Sequence, residues 1–313
     1  MKQRIPTKEG ALIKSCPFPG NRKSKTCQIS LFGSRILGFF ERGSGQYIIL
    51  PKGVKIFNAL YSLLGEYIVG PLGFEEVILP KIASVEVFRK AGILDKWNGY
   101  LISAKPFSST RGVKEEYILD PLQCTVFYRI FEGKRIDVSK GPVKWFDKSG
   151  PTYRNEDLGK IRPSIKQREF HRAEFIYLGK KAQIIEIREN CILQLEKLCS
   201  ALGLKYRVVV GANCYHLEKS EIKKPASIEE IPIKDLEIFC PSYKRKGNNG
   251  WLEVAGCSVL AEKLTSKFDI KSKYSETLWS GCIGIGMERF MFAILSNYGT
   301  EFDNFPAKLK GQF

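Results

Sequence analysis

The chain has 313 residues, with 50 Lys+Arg against 33 Asp+Glu, a formal charge of +17 and a pI near 9.4. At 43% hydrophobic, 12% aromatic and 27% charged, its composition is globular and excludes disordered, collagenous and small disulfide-stapled classes. Residues 1–15 lack the apolar run of a secretory leader, and the most apolar stretch, 56–74, is broken by Gly65, Glu66, Gly70 and Pro71, so no membrane span is expected.

Residues 27–50 read as a hairpin, with Gly43-Ser44-Gly45 as the turn between the apolar runs 36–40 and 47–50. After the Pro51-Lys52-Gly53 entry, Ile56, Leu60, Leu63, Leu64 and Tyr67 recur at helical spacing. Residues 74–79 read as a strand stopped by Pro80, because proline cannot continue a ladder. Two further apolar strands are expected around 152–156 and 169–177. The clearest helix carries Ile187, Cys191, Leu195, Leu198 and Leu202 on one stripe, with Gly203 where it ends. Cys191 and Cys199 read as core residues of that helix. Residues 205–211 form a β-branched strand. Residues 214–250 are mixed and polar and read as an insertion closed by the turn Gly247-Asn248-Asn249-Gly250. Strands are expected at 251–258 and 268–273, then an amphipathic helix over 286–297 before Gly299. Strands in long runs, with helices between only some of them, predict an α+β fold with an antiparallel-dominated sheet flanked by helices.

Nine cysteines form an odd number with no C-x-x-C pair. This usage points to a reducing, cytoplasmic setting and excludes zinc ribbons and fingers, so any metal site must gather ligands from distant segments. The positive excess suits polyanionic partners: nucleotide phosphates, nucleic acid or an acidic protein.

Three segments stand out together. The first is Gly73-Phe74-Glu75-Glu76-Val77-Ile78-Leu79-Pro80. The second joins Tyr153-Arg154-Asn155-Glu156, across a polar loop, to Arg168-Glu169-Phe170-His171-Arg172-Ala173-Glu174. The third is Ser280-Gly281-Cys282-Ile283-Gly284-Ile285-Gly286-Met287-Glu288-Arg289-Phe290. In this order they resemble motifs 1, 2 and 3 of the class II aminoacyl-tRNA synthetases. The segments 120–124 (DPLQC), 148–154 (KSGPTYR) and 278–282 (LWSGC) narrow the resemblance to the methanogen-type, zinc-dependent seryl-tRNA synthetases and the related amino acid:carrier-protein ligases. The resemblance runs from about residue 36 to the end. It implies a single catalytic domain, 36–313, behind an amino-terminal extension, 1–35.

Amino-acid activation joins a carboxylate to the α-phosphate of ATP, so two anions must be brought together. Arg154, beside the polar loop, suits a clamp on both, because a guanidinium offers bidentate contacts to either. Glu156, two residues on and on the same face, can orient that arginine or accept from the adenine amine. Phe170 stacks on adenine, as the family's motif 2 implies. Arg289, at a helix start behind Gly284 and Gly286, can hold the γ-phosphate or cover the purine, the glycines allowing close backbone approach. Arg154 and Arg289 are therefore the catalytic candidates. Glu253 resembles the acidic residue before motif 3 that binds magnesium with ATP, and Ser258 completes an oxygen set sufficient for it. Where many of the wider serine class have Asn, this chain has Val259.

The family resemblance places Cys124, Glu169 and Cys282 as zinc ligands. Two thiolates and a carboxylate leave a fourth tetrahedral position, which in the family takes the substrate's amino group. Cys257 fits better as a strand core residue. His171 and His216 are the only histidines and neither reads as a ligand, although His171 can support Glu169. Motif 1 implies a homodimer with an isologous interface. The expected substrates are ATP and a small amino acid, serine first, then glycine or alanine. The acceptor is expected to be the phosphopantetheine thiol of an acidic carrier protein, with tRNA as the alternative, because the residues before 36 are too few for a tRNA-binding domain. A catalytically inactive paralogue is disfavoured because Arg154, Glu156, Glu253 and Arg289 are all present.

Overall fold

The computed structural model describes residues 5–17, 30–105, 116–213, 225–243, 249–274 and 276–313. A nine-stranded sheet runs in the order Leu12–Ser15, Tyr206–Val210, Ile233–Phe239, Trp251–Ala261, Trp279–Gly286, Glu169–Gly179, Val143–Asp147 and Glu75–Glu76, with Pro151–Tyr153 paired to the start of Glu169–Gly179. All pairs are antiparallel except Glu75–Glu76, which runs parallel to Val143–Asp147. The expected α+β architecture is observed.

The strand Glu169–Gly179 shows why the sheet has two covered faces. Phe175 and Tyr177 enter one apolar cluster, which includes the helices Pro51–Leu64, Lys181–Ala201 and Met287–Tyr298. Ile176 and Leu178 enter the other, beneath Val85–Ala91 and Cys124–Ile130. Successive side chains point to opposite faces, so both parities must be apolar where both faces are covered. The helix Lys181–Ala201 buries Cys191, Leu195, Leu198 and Cys199 as its stripe predicts, and burial pushes both thiols well up, which leaves them inert.

The hairpin forms as Leu37–Phe39 against Tyr47–Ile49, with Gly43 and Gly45 at positive φ in the turn; Cys27 lies outside the described residues. The helix after Pro51 continues as a π-helical turn, Gly65–Val69, and a last turn, Gly70–Leu72. Four expectations are corrected. The strand before Pro80 is only Glu75–Glu76. The strand within 268–273 is only Lys271–Ser272, because Phe268 ends the helix Lys263–Lys267 and Asp269 takes φ 50°. Part of the amino-terminal extension belongs to the sheet, since Leu12–Ser15 pairs with Tyr206–Val210 at its edge.

The fourth correction is the largest. The supposed insertion 214–250 contains Ile233–Phe239, an interior strand between Tyr206–Val210 and Trp251–Ala261. Its charges hid it. Lys234 is buried and donates to both Glu189 carboxylate oxygens at 2.7 and 2.8 Å, and Glu237 accepts from Arg207 Nε at 2.5 Å. Of the closing turn, Asn249 and Gly250 take positive φ, while Gly247, Asn248, Cys214 and His216 lie outside the described residues.

Candidate active site

The sheet face carrying Ile176 and Cys282 opens, toward the start of Glu169–Gly179, into a cavity of about 370 Å³. The second and third motif segments approach it through the sheet register, while the first, at the far sheet edge, contributes none of its lining. Arg172 lies opposite Gly286, Glu174 opposite Gly284, Gly256 opposite Gly284, and Ser258 opposite Cys282. Phe170, Arg172 and Glu174 share one parity and all line the cavity. Gly284 leaves room for the Arg172–Glu174 pair, since a Cβ on it would lie 1.6 Å from Arg172 Nη2 and 2.7 Å from Glu174 Oε2 and would displace them.

Arg154 follows the strand Pro151–Tyr153 and is held to the sheet by its amide, which donates to Arg168 O at 2.8 Å. Its guanidinium lies 4.7 Å from the Trp97 ring centre and 5.1 Å from that of Phe170, and Nε donates to Pro121 O at 3.3 Å. Two aromatic faces and a carbonyl thus orient a charged fork at the cavity wall. Glu156 is nearly buried and pairs with Lys166 Nζ at 2.8 Å. Arg289 donates through Nε to Ile165 O at 3.0 Å, and its Nη1 lies 3.3 Å from Glu253 Oε2. Gly286 sits at the start of that helix, and a Cβ there would meet the Arg289 side chain at 3.5 Å.

Glu253 reaches the cavity through a bulge. It is three residues from Gly256 and five from Ser258, so alternation would put it on the opposite face. The register against Ile233–Phe239 shifts at this point, leaving Val254 as the extra residue, and Glu253, Gly256 and Ser258 all line the cavity. Val259 instead packs into the helix-side cluster.

Cys124, Cys282 and Glu174 bring their ligand atoms within 4.8 Å of one another, and all three are buried. The carboxylate in this cluster is Glu174, not the Glu169 expected from sequence. Glu169 is five residues from Glu174 and therefore has the opposite parity; its Oε2 accepts from Gln46 Nε2 at 2.8 Å. Burial pushes the Glu174 carboxyl up to about 7, opposed by Arg172, whose Nη2 lies 2.8 Å from Oε2. Two sulfurs and a carboxylate, buried and convergent, fit a tetrahedral zinc ion with one position left for a ligand. Cys257 is fully buried in the helix-side cluster, where burial raises its thiol well above the ordinary range. His171 also points to the helix side, where its Nδ1 lies 2.9 Å from Glu288 Oε1.

Among the cavity residues that escaped the sequence reading are Arg172, Glu174, Asp235 and Trp97. Arg172 and Glu174 follow Phe170 at period two, and that alternation was the available signal. Asp235 lies in the strand masked by paired charges. Burial, with Glu253 adding repulsion, raises its carboxyl well above the ordinary range, and Oδ2 accepts from Ala212 N at 3.2 Å. Trp97 gave no signal, since only its place beside Arg154 identifies it.

The family model described as tRNA synthetase class II core domain (G, H, P, S and T) matches residues 107–298. The chain is 31% identical over 304 residues to the type-2 serine–tRNA ligase of Methanocaldococcus jannaschii, covering 88% of this chain and 57% of that protein. Against the Methanococcus aeolicus type-2 serine–tRNA ligase it is 30% identical over 307 residues, covering 88% and 58%. It therefore spans somewhat more than half the length of these relatives. Among solved structures, M. kandleri SerRS in complex with A. aeolicus tRNASec matches with a TM-score of 0.85 at 23% identity, over 99% of this chain and 64% of that one. The cytoplasmic serine–tRNA ligase of Naegleria fowleri in complex with AMP matches with a TM-score of 0.73 at 19% identity, over 99% and 62%. At these identities the structures bear on the fold alone. With residues of the second and third motif segments gathered at one cavity and the family model covering most of the chain, the protein belongs to the class II tRNA synthetase core-domain family.

Proposed function

We propose that the chain activates a small amino acid, serine first, as its aminoacyl-adenylate and passes it to tRNA. The observation that carries this reading is the joining, in one cavity, of anion- and nucleotide-binding groups to the Cys124–Glu174–Cys282 cluster. The amino acid's carboxylate oxygen attacks the α-phosphorus of ATP and pyrophosphate leaves; the tRNA's terminal hydroxyl then attacks the acyl carbon and AMP leaves. Arg154 neutralises the carboxylate and the α-phosphate as they approach and holds the charge that builds on phosphorus. Phe170 and Arg289 hold the adenine and the phosphate tail. Glu253, together with Ser258, would bind the magnesium that accompanies ATP. Cys124, Glu174 and Cys282 would hold a zinc ion, which when bound would supply an anchor for the substrate's amino group in its unprotonated form. Glycine and alanine are the next substrates in order, because amine capture is common to all amino acids and selection rests on the remaining cavity.

The relatives described above are serine–tRNA ligases, which supports tRNA over the carrier-protein thiol preferred from sequence alone. Offering the activated enzyme total tRNA and, separately, a phosphopantetheinylated carrier tests this. Aminoacyl ester on tRNA is expected; thioester on the carrier with no charged tRNA would reverse the assignment.

The active form is a homodimer through motif 1. Ile78 and Ile82, flanking Pro80, are 82% and 48% exposed, apolar side chains suited to an isologous contact. Sedimentation at micromolar concentration is expected to show a dimer, and a monomer would contradict it. Among the described residues, no helix is long and apolar enough to cross a membrane.

A further inference from the structure

The backbone immediately before Cys124 is unusual. Gln123 takes φ 58° and ψ −44°, and the Cys124 amide donates to Leu122 O at 2.7 Å, two residues back. These are the marks of a γ-turn with positive φ at its centre, a rare and strained reversal. A residue with a branched or bulky side chain tolerates such a φ poorly. The turn occurs at the step where the chain leaves the segment ending at Leu122 and enters the helix Cys124–Ile130.

A buried brace holds it. Gln123 is fully buried, and its Nε2 donates to Asp147 Oδ2 at 3.1 Å. Asp147 is also fully buried; Lys81 Nζ binds the same oxygen, while Ser149 N and Oγ donate to Oδ1 at 2.9 and 2.5 Å. Asp147 lies directly opposite Glu174 in the sheet register. The turn carrying Cys124 is therefore tied to the strand pair that carries Glu174, and the two ligand atoms are referenced to one rigid frame.

We infer that Gln123 is a positioning residue for the metal centre. Its left-handed backbone turns Cys124 toward Cys282 and Glu174, and its amide fixes that turn to Asp147. The inference rests on the zinc reading above and concerns how tightly the ion is held.

The test is zinc affinity of the metal-stripped protein, by competition with a chromophoric chelator, together with the thiolate-to-cobalt absorption of the Co²⁺ form. Gln123→Val, which opposes positive φ, is expected to weaken zinc binding by about 10- to 100-fold and to reduce the cobalt–thiolate absorption. Gln123→Gly, which accepts positive φ but loses the amide held by Asp147, is expected to weaken binding clearly less than Gln123→Val. If Gln123→Val does not fold, Gln123→Ala carries the same backbone conflict with less bulk. Equal affinity in Gln123→Val and the unaltered protein, or equal losses in Val and Gly, would overturn the inference. Failure of the unaltered protein to bind zinc would overturn the zinc reading, whereas zinc bound by the unaltered protein and equally well by Gln123→Val would overturn this inference alone.

Discussion

Arg154→Ala is expected to lower amino-acid-dependent ATP–pyrophosphate exchange by about 10²- to 10³-fold, with the fold intact. The guanidinium stands at the cavity wall between Trp97 and Phe170, with Nε held by Pro121 O. Its orientation is thus set before substrate arrives, and no reorganisation is needed as charge builds on the α-phosphorus. Arg154→Lys keeps the charge but loses the planar fork, so it is expected to restore only part of the rate. Near-native melting in both variants ascribes the loss to the reaction. An unchanged exchange rate in Arg154→Ala would remove this residue from the mechanism.

Cys282→Ala is expected to bring zinc content from about one ion per chain to near zero, and exchange activity with it, since three protein ligands are the minimum for a site of this type. Glu174→Gln is expected to behave alike, because its carboxylate is the only hard donor in the cluster. Glu169→Gln is expected to retain zinc, because that side chain lies on the other sheet face beside Gln46. Zinc retained in full by Cys282→Ala would remove the cluster as the metal site. Zinc lost in Glu169→Gln but kept in Glu174→Gln would restore the family-based assignment.

That contrast shows where sequence was legible. Arg154, Phe170, Glu253, Arg289, Cys124 and Cys282 stood out in the sequence because their chemistry is distinctive and their motif order is informative. All of them line the cavity. The choice between Glu169 and Glu174 turned on strand parity, which Phe170 already fixed. Glu253 shows the reverse case, where parity alone would mislead and only a bulge, invisible in the sequence, turns the side chain inward.

The fold was legible wherever burial wrote an apolar pattern, as in Lys181–Ala201 and Met287–Tyr298. It was obscure wherever charges were buried in pairs. Ile233–Phe239 reads as a polar loop because Lys234, Asp235 and Glu237 interrupt it, yet Glu189, Ala212 and Arg207 satisfy those charges inside the sheet. The short elements between Ile82 and Ile136 gave no periodic signal, since strands of two or three residues are too brief to show one.

The central claim is that this cavity activates an amino acid. The direct measurement is ATP–pyrophosphate exchange by the zinc-loaded protein with magnesium and each amino acid offered singly. Exchange dependent on serine, and weaker with glycine and alanine, is the expected result. Absence of exchange with every amino acid, from a folded protein shown to bind both zinc and ATP, would contradict the account.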